Sequence, residues 1–346
     1  MRLNKFRTAF LVLFFVLLLS PVLAHAHEQY VLTSSQINAD LAAHSPNVLS
    51  ALNNWENLKI ALSVGFGSLL AFILYFFWER SKLDKKVERF MGKLEPFGHV
   101  LLRVAVAASL IFSANFNVFL GPELPLTTIP LGLTLKLVMY ILGGMLLFGF
   151  YSELAGLASL GILFLATLVY KDYMLSYVNY LGEFLALILF GSRTFSIDRW
   201  MYGVKKWAEK YKKYEIALIR ITYGISIMYP AILYKLLHPE VIIDIVNRYN
   251  LTQFHWLFPH DPLLIALGTG VAQVVVGICL IFGFETRLNT FVTFVLMALS
   301  VSFFKEAVWP HYILLALALY LIINNGGEWS LDHYIQKWKK ARAVKA

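Results

Sequence analysis

Apolar residues along this chain come in nine solid blocks, near residues 60–78, 99–120, 131–150, 153–170, 174–191, 215–236, 262–283, 287–304 and 309–324. Each approaches the roughly 20 residues at which a helix spans the hydrocarbon core of a bilayer. The pattern predicts an all-α, polytopic membrane protein with nine transmembrane helices. A further apolar run stands at the amino terminus, where Arg2, Lys5 and Arg7 precede AFLVLFFVLLL. Ala24-His25-Ala26 then fits small-x-small cleavage, so residues 1–26 read as a signal peptide cut after Ala26. Residues 27–58 are polar, carry no Lys or Arg, and break at Ser45-Pro46. Leu49–Leu58 is expected to form a short amphipathic helix leading into the first span.

Charge sits between the blocks. Arg80, Lys82, Lys85, Lys86, Arg89 and Lys93 fall in one break; Arg193, Arg199, Lys205, Lys206, Lys210, Lys212 and Lys213 fall in another. The tail adds Lys337, Lys339, Lys340, Arg342 and Lys345. With nine spans and the mature amino terminus outside, the positive-inside rule puts all three clusters in the cytoplasm, in a plasma (inner) membrane location. Composition agrees: 59% of the 346 residues are hydrophobic and 15% charged, against roughly a quarter charged in soluble domains. The net charge of +9 then describes loops beside lipid headgroups and not a nucleic-acid surface. A single cysteine, Cys279, excludes internal disulfides and CxxC chemistry.

The chain also repeats itself. GSRTFSIDRW (191–200) ends one apolar block and NGGEWSLDHY (325–334) ends another, 134 residues later. At that offset Gly143, Phe148-Gly149-Phe150, Leu154 and Lys171-Asp172 fall on Gly277, Phe282-Gly283-Phe284, Leu288 and Lys305-Glu306. Upstream, LLRVAVAASLIF around Arg103 resembles LIRITYGISIMY around Arg220 at an offset of 117. The second copy therefore has the longer outer loop, 237–261. Two units of four spans follow, 96–214 and 215–346, behind a first span and basic loop over 59–95. An even span number makes both units run the same way through the bilayer, related by an axis along its normal. Gly149 and Gly283 are expected at tight turns. Ser196 and Ser330, with Asp198 and Asp332, are expected to cap interfacial helices after the last span of each unit. That role is structural.

An early Arg, a span ending in Gly-Phe, two more spans and then G-x-x-[FW]-S-[IL]-D resembles the DoxX/DoxD family of four-span membrane proteins, here twice, over about 98–201 and 216–334. FGFYSEL and FGSRTFSID carry the likeness in the first unit. Tyr229-Pro230 to Lys235, Gly277, Gly283, Arg287 and GGEWSLD carry it in the second. The first unit's outer loop departs from the pattern. Family members often have Glu four residues before the Gly277 position, where this chain has Gln273. The resemblance implies a membrane subunit of an oxidoreductase system, quinone-linked in one case, serving a soluble redox partner.

No haem, flavin or iron–sulfur pattern appears, and no histidine pair has HxxH or HxxxH spacing on a predicted span. His238, His255, His260 and Asp261 share the long outer loop, but scattered loop histidines are usually solvated, so no metal site is assigned. Ionisable groups inside spans cost about 2.5–3.5 kcal/mol and face a partner or a polar cavity. Glu183 is expected near mid-depth with Asn179 one turn away on the same face. Arg103, Arg220, Lys136 and Gln273 complete the intramembrane polar set. Two readings stand side by side: a cavity for a quinone-like head group or a proton, or a structural Glu183–Arg103 ion pair. At the level of function, the alternatives to a redox subunit are a scaffold or assembly factor without chemistry and a small-molecule transporter.

Overall fold

A computed structural model describes residues 32, 34–78, 82–128, 131–190, 195–203, 206–254, 258–303 and 309–343. The expected signal peptide lies outside them. The helices are α1 (Ser34–Ala42), α2 (Trp55–Trp78), α3 (Lys82–Gly92), α4 (Glu95–Asn115), α5 (Gly132–Phe148), α6 (Ser152–Tyr170), α7 (Asn179–Phe190), α8 (Ile197–Tyr202), α9 (Lys206–Pro230), α10 (Glu240–Arg248), α11 (Pro262–Phe282), α12 (Thr286–Phe303), α13 (Trp309–Asn324) and α14 (Leu331–Ala343). One small antiparallel hairpin, β1 (Val118–Phe119) with β2 (Gly121–Pro125), interrupts this all-α arrangement.

Among the described residues each predicted apolar block falls mainly on a helix, the 99–120 block running past its helix end at Asn115 into the hairpin. Trp55–Tyr75, Glu95–Asn115, Ser152–Tyr177, Lys210–Leu237 and Pro262–Phe282 are long and apolar enough to cross a membrane; the other four apolar helices, α5, α7, α12 and α13, are shorter. The lead-in differs from expectation. Val48–Asn53 is a 3₁₀ helix capped by Asn47, whose side chain accepts from the Leu49 N–H, and the α-helix starts only at Trp55. The fifth block also starts late, because Lys171–Tyr177 winds as 3₁₀ before α7 begins at Asn179. Glu183 therefore lies about 6 Å, one turn, from the start of its helix.

Eight helices form a closed ring in which each packs on the next: α4, α5, α6, α7, α9, α11, α12, α13 and back to α4. Contacts between α4 and α7 and between α9 and α13 cross the ring, so these four line its centre. α4 is the most enclosed, with 78% of its apolar window buried. One cluster built on Leu102, Val106, Leu110, Phe184, Leu187, Tyr223, Leu317 and Leu321 joins all four. α2 stands apart, with none of its apolar window buried. It touches the ring through Phe72, whose ring lies tilted 5.8 Å from that of Phe284, and through Asn57, which donates to Asp261.

The hairpin end of the bundle is covered. Ile37 of α1 packs with Leu32, Tyr234 and Val241, and Val48 and Ala51 of the 3₁₀ helix pack on Ile242, Val246 and Leu264. Pro230, which has no N–H to donate, precedes a π turn over Ala231–Leu237. Asp261 caps α11 through the Leu263 N–H, with Pro262 at the first helical position. Asp261 thus serves the fold, and among the described residues no group of three or more His, Cys, Asp or Glu could hold a metal ion.

Candidate functional site

The motif that the sequence repeats builds the same junction twice. α5 ends at Gly149 (φ 66°) and α11 at Gly283 (φ 68°), left-handed conformations that glycine adopts without a Cβ clash. The next helix starts three residues on, after Tyr151 (φ 46°) or Glu285 (φ 45°). Asp198 closes the first junction, its carboxylate accepting the Tyr151 N–H at 2.8 Å and the Ser152 N–H at 2.9 Å. Asp332 does the same for Glu285 at 2.8 Å and Thr286 at 3.1 Å. In return the Asp198 and Asp332 N–H groups each donate at 3.0 Å to the carbonyl of Gly149 or Gly283. Ser196 caps α8 by accepting the Arg199 N–H, and Ser330 caps α14 by accepting the His333 N–H.

The two arginines belong to these clamps. Arg103 donates to the Phe195 carbonyl at 2.7 Å, and Arg220 donates to the Trp329 carbonyl at 2.7 Å, to Ile281 at 2.7 Å and to Leu280. Each is almost wholly buried, and the acid bearing electrostatically on it is Asp198 or Asp332. Charge-assisted bonds from a buried guanidinium to backbone carbonyls are stronger than neutral ones. The Glu183–Arg103 pair weighed from sequence is not among the contacts described for Glu183. Lys136 likewise reaches outward, to Asn117 at 2.7 Å.

What remains is a polar set around α7. Glu183 is completely buried. Its Oε1 accepts from Asn179 Nδ2 at 2.9 Å, and its Oε2 has no hydrogen-bond partner. Next to it Tyr180 shares a 2.6 Å hydrogen bond with Ser109 of α4 and reaches the Leu120 carbonyl at 3.3 Å. On α9 the Tyr223 hydroxyl is buried without a partner, and Thr222 lies against Gly182. A buried carboxyl with a spare oxygen can donate when protonated and accept when ionised. Gln273, also with an unpartnered Oε1, sits on α11, whose main packing partner is α9. It does not join this set.

Two clusters escape a reading by sequence pattern. At the hairpin end Glu123 of β2 accepts hydroxyl protons from Tyr173 at 2.8 Å and from Tyr177. At the clamp end of the central helices, His99 Nε2 lies 2.7 Å from Glu215 Oε1, which also accepts from Tyr320. Tyr173, Tyr177, Tyr180 and Phe184 follow i, i+4 and i+3 steps, so one tyrosine face was readable. Glu215 and its partners are 105 and 116 residues apart, and no local signal joins them.

Comparison with known proteins completes the site. Residues 216–306 match the DoxX family. Over that segment the chain is similar to the DoxX family of membrane proteins. The matched part runs from α9 through α12 and holds Arg220 and Gly283; the clamp they belong to closes beyond it at Asp332, and the other clamp lies wholly upstream. No match was found among curated proteins or among solved structures.

Proposed function

We propose that this DoxX-like protein is the integral membrane subunit of a quinone-linked redox system, with Glu183 and Asn179 receiving the head group and a soluble enzyme as partner. The supporting observation is a fully buried carboxyl with one oxygen held by Asn179 and the other without a partner. A quinone offers carbonyl acceptors and its quinol offers hydroxyl donors, and a carboxyl serves both by changing protonation. Burial in hydrocarbon strengthens either bond relative to water. The proposal includes nine spans behind a cleaved signal peptide, two tandem four-helix units related by an axis along the membrane normal, and a cytoplasmic clamp end in a plasma membrane. The ring order supports the tandem units, since the last helix of each packs on the first of the other. Titrating purified protein with a short-chain ubiquinone or menaquinone analogue tests the head-group reading. Binding that Glu183→Gln weakens supports it, and equal binding by both proteins refutes it.

A second reading has its own support. Arg103, Arg220, Asp198, Asp332, Ser196 and Ser330 are all engaged in clamps, as expected of a scaffold without chemistry. A quinone-free protein that holds a redox enzyme at the membrane would favour it.

A further inference from the structure

α2 is held at both ends and stands clear of the ring between them. Near its start Asn57 donates to Asp261 and, at 2.9 Å, to the Ala51 carbonyl, and Ala61 one turn on packs against the cluster of Val48, Ala51 and Leu264. The second hold is Phe72 on Phe284. Asp261 caps the start of α11 and Phe284 follows its end, so α2 runs beside α11 in the same direction. Between Ala61 and Phe72 no helix packs along α2. Residues 62–71 are all exposed, and they make nearly three turns, so the face toward the ring is as open as the face away from it. The outward stripe of α11 is exposed too, at Gly268, Val271, Val275, Ile278 and Phe282. A Cβ added at Gly65, Gly67 or Gly268 meets nothing within 4 Å. A lateral cleft about 16 Å long therefore separates α2 from α11.

The cleft lies between two helices long and apolar enough to cross a membrane, and its walls are apolar. A second helix does not fit in it. An inserted helix would hold the axes of α2 and α11 roughly 16–20 Å apart, twice the spacing of packed helices, and Ala61 and Phe72 could not then touch the bundle. A single hydrocarbon chain does fit. Charge decides which end takes its head group. At the hairpin end the neighbours are Glu56 and Asp261, and Lys59 is already engaged by Glu56 at 2.8 Å. At the clamp end α2 leads into α3, which packs on α13 and carries exposed Lys85, Lys86 and Arg89 against one exposed acid, Glu88. An anionic group is repelled at the first end and held at the second. We infer that this cleft is a phospholipid site: one acyl chain lies between α2 and α11, and its anionic head group sits on α3 at the clamp end. α2 then meets the ring through lipid over the middle of its length, which accounts for a membrane-length helix with none of its apolar window buried. The site is independent of Glu183 and of any quinone.

The test titrates the full chain, stripped of lipid in detergent, with phosphatidylglycerol or phosphatidylethanolamine and counts bound lipid by native mass spectrometry. Wild type should take up one phosphatidylglycerol. Phosphatidylethanolamine, which has no net charge, should bind roughly 10²-fold more weakly, about fivefold for each of the three basic side chains. Replacing Lys85, Lys86 and Arg89 together by Gln should erase that preference. Gly65→Leu and Gly268→Leu put a side chain into the cleft and should weaken phosphatidylglycerol binding by roughly tenfold or more at unchanged melting, the worth of two buried methylenes. Gly144→Leu and Gly161→Leu also point into open space, but on α5 and α6, and should leave binding unaltered. Val271→Trp fills the same cleft should either of the first two variants fail to fold. Binding that survives filling, or that falls equally in the α5 and α6 variants, overturns the inference. Equal binding of both lipids by wild type overturns it as well. A dimer broken by the filled variants would give the cleft to a second copy, and that too would overturn it.

Discussion

Replacing Asp198 by Asn should destabilise the bundle without touching the polar set at Glu183. In the native junction one carboxylate accepts two backbone N–H groups, at 2.8 and 2.9 Å, at the start of α6. Asparagine keeps a single acceptor oxygen and turns an NH₂ group toward the other N–H. One charge-assisted hydrogen bond is lost and one helix-start donor is stranded, a cost of about 2–3 kcal/mol. The Arg103 guanidinium also loses the acid that bears on it. Asp332→Asn should cost less, because Asp332 is partly exposed whereas Asp198 is only 2% exposed. Thermal unfolding in detergent, followed by the loss of helical circular dichroism, should rank wild type above Asp332→Asn and Asp332→Asn above Asp198→Asn. An Asp198→Asn protein that melts like wild type but loses ligand binding would refute the structural reading of the clamp.

Gly149→Ala and Gly283→Ala force a side chain into left-handed backbone and against Ser196 or Ser330, with Arg220 2.7 Å from the new Cβ at the second site. Each should cost about 1–3 kcal/mol and be seen as lower yield and earlier melting. Glu215→Gln replaces one of the two carboxylate oxygens beside His99 and Tyr320 by an amide and should destabilise by about 1–3 kcal/mol, measurable by the same melts. At the covered end, burial first, then the Asp244 and Glu240 carboxylates, raise the Asp40 carboxyl above its ordinary value of 3.8. Its protonated form is favoured by the fold, so its contribution to stability is greatest below pH 3.8 and is lost as pH rises through the raised value. Limited proteolysis of α1 should therefore slow in acid, and Asp40→Asn should protect α1 at neutral pH with no gain below 3.8.

The helices were legible because apolar blocks and glycine turns are local signals. The positions of Gly149 and Gly283, and the capping by Ser196 and Ser330, came through for the same reason. The arginines were not: their partners are backbone carbonyls of Phe195, Trp329, Leu280 and Ile281, and a backbone carbonyl leaves no mark in sequence. The late start of α7 was not legible, because the Lys171–Tyr177 segment winds as 3₁₀ where the sequence read as the approach to one continuous span. Asn179 and Glu183, four apart on one helix, were readable as a pair. The Ser109–Tyr180 and His99–Glu215–Tyr320 contacts join helices distant in sequence, and only the closed ring brings them together.

The repeat itself supplies the variant for the most direct measurement. The residue at the Glu183 position of the second unit is Leu317, which is 1% exposed, so leucine is accommodated at that place in the bundle. Purified wild type and Glu183→Leu should be titrated with a short-chain quinone analogue by tryptophan fluorescence, with melting recorded alongside. The account predicts normal melting and a Kd raised by roughly tenfold or more, the worth of one buried hydrogen bond to the head group. Equal Kd values in two equally stable proteins would contradict it.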